Sequence, residues 1–377
     1  MKKLGLYIHI PFCESKCYYC DFYSITKIDK EIKSVYVDSL IKELKLYKDK
    51  IDGDTFDTIF IGGGTPSTID AEIYSKMFEY LYNEDLVNKD AEITMEINPK
   101  NRGLEYLNKI KKNGVNRLSV GIQTFDDEIL KVIGRNHNKK EAERFLESVN
   151  NVGFENLNCD LIFNLPLQKF NHIKKDIDKL ERFYAKHISL YSLKVNPNTK
   201  MNEIVKKETY KLMEDEEERD TYYLARNYMK SKGYNQYEIS NFAKKGYESK
   251  HNLKYWDRAE YIGIGASAHS FLENKRYSNV SNVDEYIKSI NSCILPIDYE
   301  EYINKEDALW EFLILGLRKS EGVNIEEMET KFNTSFSKYR EIIKELNDDG
   351  LLIRTKENIK LTKKGMDLSN YVFVKLK

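Results

Sequence analysis

The chain has no excess of either charge: 60 Lys and Arg stand against 61 Asp and Glu, a formal net charge of −1. General affinity for nucleic acid or an anionic membrane draws on a basic face, so neither is expected as a partner. No apolar run reaches the roughly 18 residues of a membrane span. The first residues place two lysines before a short apolar stretch that runs into cysteines with no small-residue cleavage site. They read as a strand, not a signal peptide. Cysteine is scarce, five in 377 residues, and three of the five are clustered. An odd, clustered set fits a reducing cytosol and a metal site better than a disulfide framework.

Those three, Cys13, Cys17 and Cys20, form a C-x-x-x-C-x-x-C run. It supplies three thiolates where a [4Fe–4S] cluster normally takes four protein ligands, so one iron is left open. A free coordination position is the mark of a catalytic metal, whereas structural sites close theirs. The alternative is a structural zinc site completed by His9 or a distant residue. Zinc sites usually pair their ligands as C-x₂₋₄-C with a second pair downstream, and no second pair follows. Cys159 and Cys293 stand alone and read as small, buried apolar residues.

Short β-like runs alternate with amphipathic helical stretches through the first half. The strands expected are Leu4–Ile10, Phe56–Ile61, Glu92–Ile97, Arg117–Ile122, Leu157–Phe163 and His187–Leu193, with helices such as Glu31–Tyr47, Ile69–Tyr82, Gly103–Asn113 and Lys139–Val152 between them. Such alternation predicts βαβ units and a parallel sheet. Cys13 follows the first strand and Gly62-Gly63-Gly64-Thr65-Pro66 follows the second. Glu96 ends the third, Gln123 ends the fourth and Asp160 lies in the fifth. Chemistry gathered at the carboxyl ends of successive strands favours an α/β fold of the partial (β/α)₆, TIM-like kind over an open sheet with one switch point. Beyond residue 300, helices at Leu309–Arg318 and Tyr339–Asn347 precede a ribbon of Leu351–Arg354 and Ile359–Thr362, a winged-helix-like pattern. Residues 300–377 carry 15 acidic and 14 basic side chains, so packing or protein contact is a better reading of this part than nucleic-acid binding. The division expected is a barrel over 1–240, a connecting segment over 241–300 and a C-terminal domain over 301–377.

The cysteine run, preceded by Tyr7-Ile8-His9-Ile10-Pro11-Phe12, resembles the signature of the radical S-adenosylmethionine (SAM) superfamily. It is most similar to the branch that holds oxygen-independent coproporphyrinogen III oxidase and the HemW-type heme chaperones. The resemblance implies a [4Fe–4S] cluster on Cys13, Cys17 and Cys20, with SAM chelating the open iron. An electron from a donor such as flavodoxin or ferredoxin then splits the sulfonium to a 5′-deoxyadenosyl radical. It implies that Gly63, Gly64 and Thr65 hold the amino group of SAM, and that Glu96 bonds its ribose or amino group. Gln123, Arg135 and Asp160 match the remaining SAM-pocket positions, and Tyr7 and Tyr19 approach the cluster-bound ligand. In Gly263-Ile264-Gly265-Ala266-Ser267-Ala268-His269-Ser270, a segment closing over SAM, His269 contacts the cofactor through its backbone.

Two features separate members of this branch. His251-Asn252-Leu253-Lys254-Tyr255-Trp256 matches the H-N-x-x-Y-W stretch of the chaperones, where the histidine is the proposed heme ligand. The oxidase carries a fourth cysteine two positions after the third, where this chain has Phe22, and a long N-terminal extension, where six residues precede Tyr7. The resemblance therefore implies a cytoplasmic heme chaperone that passes heme to respiratory hemoproteins and is peripheral to the membrane when it does so. The alternatives are the oxidase, which decarboxylates coproporphyrinogen III propionates to vinyls, and a zinc-stabilised interaction module. One departure is Asn164, which stands where the family commonly has glycine and puts the local turn in doubt.

Overall fold

A computed structural model describes residues 2–51, 53–100 and 102–377. Six parallel strands form its centre: β1 Lys3–Ile10, β2 Thr55–Gly63, β3 Val87–Ile97, β4 Arg117–Gln123, β5 Asn156–Phe163 and β6 His187–Ser192. They pair in that order, each with the next. Helices Lys30–Leu46, Ala71–Asn83, Leu104–Lys112, Lys139–Val152 and Phe170–Arg182 fill the crossovers. The expected partial (β/α)₆ barrel is what the chain builds, with strand ends moved by a few residues.

The strands alternate in an unusual sense. One face carries Leu4, Leu6, Ile8 and Ile10 from β1, Ile59 and Ile61 from β2, Ile93 and Met95 from β3, Leu118 and Val120 from β4, Leu157 and Cys159 from β5, and Ile188 and Leu190 from β6. All of these are buried in one cluster with the helices. Side chains two apart along a strand share a face, so the other face holds Tyr7, Phe60, Thr94, Glu96, Arg117, Ser119, Asn158, Asp160, His187 and Ser189. The apolar core lies outside the strands and the lumen is polar.

The sheet continues past both ends of the barrel. Tyr261–Ile264 runs parallel beside β1, followed by antiparallel His269–Leu272, Lys275–Asn279 and Ile297–Tyr302; Asn241–Ala243 runs antiparallel beside β6. Residues 241–300, expected to connect, thus carry strands of the same sheet. The C-terminal part has its own core of Leu309, Phe312, Leu313, Met328, Ile343, Leu346, Ile359 and Val372. Its helices Lys305–Gly316 and Arg340–Asp348 and its ribbon Leu352–Arg354 with Asn358–Leu361 follow expectation, and Val323–Asn324 adds a third strand to that ribbon. The part-buried Arg258–Glu311 ion pair, 2.9 Å, ties this part to the barrel side. Among the described residues no helix is long and apolar enough to cross a membrane.

Two local readings are settled here. Asn164 adopts φ +60°, a conformation asparagine tolerates; its side chain accepts from Met213 N at 2.9 Å and donates to Glu218 Oε2 at 2.7 Å. Cys159 is buried as expected, but Cys293 is exposed. It lies beyond the end of helix Val283–Asn291, at φ +58°, in a turn that leaves the core.

One carboxyl ties four segments together. Glu43, on helix Lys30–Leu46, accepts from Gly265 N at 2.8 Å, Asn279 Nδ2 at 2.6 Å and Tyr286 OH at 2.5 Å. Burial pushes its pKa up to about 7, against the pull of those three donors. A carboxyl raised on folding binds its proton more tightly in the native state, so its contribution to stability is fully present at low pH and is lost as pH rises from about 4.5 to 7. Urea unfolding should therefore show the stability of wild type relative to Glu43→Gln falling across that window. Parallel curves would remove Glu43 as the source.

Candidate functional site

Phe12–Cys13 pairs in parallel with Ile25–Thr26, which closes residues 14–24 into a loop at the carboxyl end of β1. The loop is pinned from inside: Tyr18 N donates to Ile133 O at 3.0 Å and Met201 N to Tyr18 O at 2.7 Å. Cys13, Cys17 and Cys20 are free thiols, partly exposed. Cys13 Sγ lies 3.5 Å from Thr65 Oγ1, and Arg135 NH1 reaches Cys17 Sγ at 3.3 Å. Burial raises the Cys13 and Cys20 thiol pKa, with Thr65 opposing the shift at Cys13. A metal must then draw off the protons.

Among the described residues no three His, Cys, Asp or Glu side chains converge on a position for a metal ion. Three thiols are the donor set that leaves one iron of a [4Fe–4S] cluster open, whereas a structural zinc takes four protein ligands. Orphaned buried atoms nearby, His9 Nε2 and Arg135 Nε, fit a site built to receive a further polar group.

The glycine turn is packed against β1. Gly64 N donates to Ile10 O and Thr65 N to Phe12 O, both at 2.8 Å. Gly63 has φ +108°, and a Cβ on it would stand 2.6 Å from the His9 ring. Its N–H donates to Glu96 Oε2 at 3.1 Å. Burial, then the neighbouring charge of Asp160, pushes Glu96 up to about 8. Burial raises Asp160 too, although Asn158 Nδ2 donates to it at 2.9 Å and Ser119 Oγ at 3.3 Å. Both carboxyls are only partly shielded from solvent. Tyr191, whose hydroxyl feels both of them, is 41% exposed although it sits on a barrel strand. Water therefore reaches the lumen.

Gln123 has φ +68° where the register of β4 against β5 shifts, a bulge that re-aims it beside Gly121 and Arg135. Arg135 donates from NH2 to Gly121 O. Tyr7 OH meets His9 Nδ1 at 3.1 Å, and burial lowers His9 to about 4. Burial raises the Tyr19 hydroxyl, which lies against Cys17 and Arg135. His269 has an exposed side chain and lies close enough to His9 for their charges to interact. So Tyr7, Cys13, Cys17, Tyr19, Cys20, Gly63, Gly64, Thr65, Glu96, Gln123, Arg135, Asp160 and His269 gather at one end of the barrel.

His251 does not join them. It is completely buried at the opposite end, where helix Lys250–Trp256 lies across the lumen. Its Nδ1 meets Thr58 Oγ1 at 2.8 Å and its Nε2 meets Tyr255 OH at 2.9 Å. Lys250 N and His251 N both donate to the Glu92 carboxylate at 3.2 Å. Burial lowers His251 to about 3, so the ring is neutral.

Sequence reasoning missed further polar residues on the lumen face: Arg117, Ser119, Asn158, His187 and Ser189. His187 Nδ1 contacts Asn158 Oδ1 at 2.5 Å and its Nε2 contacts Tyr237 OH at 2.7 Å. The signal was present as period-two alternation of polar residues within apolar strands, in Glu92-x-Thr94-x-Glu96, Arg117-x-Ser119, Asn158-x-Asp160 and His187-x-Ser189.

Residues 7–180 match the family model of the radical SAM superfamily, and residues 303–368 match that of the HemN C-terminal domain. The chain is 37% identical to the heme chaperone HemW of Lactococcus lactis over 378 residues, covering 99% of this chain and 97% of that protein. It is 37% identical to the heme chaperone HemW of Bacillus subtilis, covering 97% of each. The solved structure of coproporphyrinogen III oxidase (HemN) from Escherichia coli, a radical SAM enzyme, superposes with a TM-score of 0.86 at 22% identity, over 99% of this chain and 90% of that one. Anaerobic reconstitution should load about four irons per chain with matching sulfide, and Cys13→Ser, Cys17→Ser or Cys20→Ser should each lose most of them. One zinc and no sulfide in wild type would contradict the cluster.

Proposed function

The chain belongs to the HemW family of the radical SAM superfamily, and from that premise we propose that it is a heme chaperone: it binds heme and delivers it to hemoproteins, with a [4Fe–4S] cluster and SAM at the barrel mouth. The observation that carries this reading is the gathering of three thiols, a glycine turn and two elevated carboxyls at one end of the lumen, in a chain similar to HemW proteins over nearly its whole length. When bound, cluster and SAM supply one-electron chemistry at the mouth, fed by a donor such as flavodoxin or ferredoxin.

Cys13, Cys17 and Cys20 hold the cluster. Gly63 and Gly64 present backbone groups that no Cβ blocks, and with Thr65 they receive the SAM amino group. Glu96 and Asp160 accept from its amino or ribose donors, and Arg135 with Gln123 takes its carboxylate side. Tyr7, Tyr19 and the backbone of His269 enclose it. Phe22, 67% exposed, stands where the oxidase has its extra cysteine and adds no ligand. The acceptors are respiratory hemoproteins, reached from the cytoplasm at the membrane surface.

Glu96 gives SAM binding a sign with pH. In the free protein it holds a proton up to about pH 8. A cationic ligand favours the carboxylate, so binding expels that proton and strengthens as pH rises toward 8, by up to about tenfold per unit, then levels off. Equilibrium dialysis between pH 6.5 and 9 should show this slope in wild type and a flat, weaker profile in Glu96→Gln. A flat wild-type profile would contradict the assignment.

For heme, the neutral His251 ring is in the protonation state that binds iron. Its Nε2 must first give up Tyr255, so the helix across the lumen has to shift. In a heme titration followed by absorbance, His251→Ala should weaken binding about tenfold or more and lose the histidine-ligated spectrum. Unchanged affinity in the variant would remove His251 as the ligand.

A further inference from the structure

Arg117 begins β4 and shares a lumen row with Tyr7, Phe60 and Thr94. It is 1% exposed, so its guanidinium has left water. Among the described residues its side chain makes one long hydrogen bond, NH1 to Thr94 Oγ1 at 3.4 Å, its Nε has no partner, and it enters no ion pair. On the adjoining strand Glu92, two residues before Arg117's register partner Thr94, is committed to Lys250 N and His251 N. Yet five lumen groups respond to the charge of Arg117: Glu96, Asp160, His187, Tyr237 and His251. The cation therefore sits in the middle of the lumen without a counter-ion in contact.

A guanidinium cannot shed its proton to relieve this. A buried ion without a partner costs several kcal/mol, and an arriving anion recovers much of it. Its planar fork suits two parallel bonds to a carboxylate. Arg135 already supplies a cation at the mouth beside Cys17, so SAM has a closer partner. Arg117 instead lies one row above Thr58 and Glu92, the residues that seat His251.

We propose that Arg117 is a carboxylate receptor in the barrel lumen and that it takes a propionate of the tetrapyrrole. This rests on the heme reading above. Iron at His251 and a propionate at Arg117 then fix the macrocycle from two points in adjoining rows of the lumen, and a porphyrin without free propionates is discriminated against.

The test compares heme with heme dimethyl ester, in which both propionates are neutral, on the full reconstituted chain. Wild type should bind heme about tenfold or more tighter than the ester. Arg117→Met should abolish that preference by weakening heme alone, and Arg117→Lys should keep part of it. Equal affinity of wild type for heme and ester overturns the proposal without any variant having to fold. So does an Arg117→Met chain that weakens both equally, or one that loses SAM affinity and keeps its heme preference. Failure of wild type to bind either compound overturns the heme reading, and this proposal with it.

Discussion

The carboxyl end of β1 is held by backbone contacts from three directions. His9 O accepts from Tyr36 OH at 2.9 Å, Ile10 O accepts from Gly64 N and Phe12 O accepts from Thr65 N. Tyr36 OH also accepts from Ala266 N, so the same atom joins the glycine-rich turn at 265 to the strand that leads into the cysteines. Gly265 must be glycine there: at φ +101°, a Cβ would lie 2.6 Å from both His9 O and Tyr36 OH. Three segments far apart in sequence are thereby fixed against the loop that carries the thiols. Preorganisation of this kind is what a site needs when a cofactor does the chemistry and the protein supplies position.

The polar lumen follows from where the apolar surface is spent. The barrel strands turn their Leu, Ile and Val outward under the helices, and this buries a core without filling the centre. The centre can then hold Arg117 beside Glu96, Asp160 and two neutral histidines, and burial displaces the two carboxyls and both imidazoles from their behaviour in water. Such groups cluster where ligands bind. The two ends differ in kind. The mouth carries thiols, glycine backbone and carboxyls; the rows below it carry a guanidinium and, at the far end, an imidazole.

Much of this was legible in the sequence. Alternation of short strands and amphipathic helices gave all six barrel strands, because buried parallel strands need continuous apolar faces. The spacing of Cys13, Cys17 and Cys20 and the positions of Glu96, Gln123 and Asp160 at strand ends located the mouth. The strands at 269–302 stayed hidden because they pair antiparallel toward the sheet edge, and the outermost, Ile297–Tyr302, has no buried face to mark it. The burial of His251 was illegible as well. Nothing in H-N-x-x-Y-W says that Thr58 and Glu92, more than 150 residues earlier, enclose it. Cys293 looked apolar by residue type, but its turn at the end of a helix places it outside.

The central claim is that three thiolates leave one iron open to SAM at the end of β1. Electron paramagnetic resonance of the anaerobically reduced, reconstituted chain tests it most directly, recorded with and without SAM. The account predicts a [4Fe–4S]⁺ spectrum whose g-values shift when SAM is added. A spectrum that SAM leaves unchanged, from a cluster present in full, would contradict it.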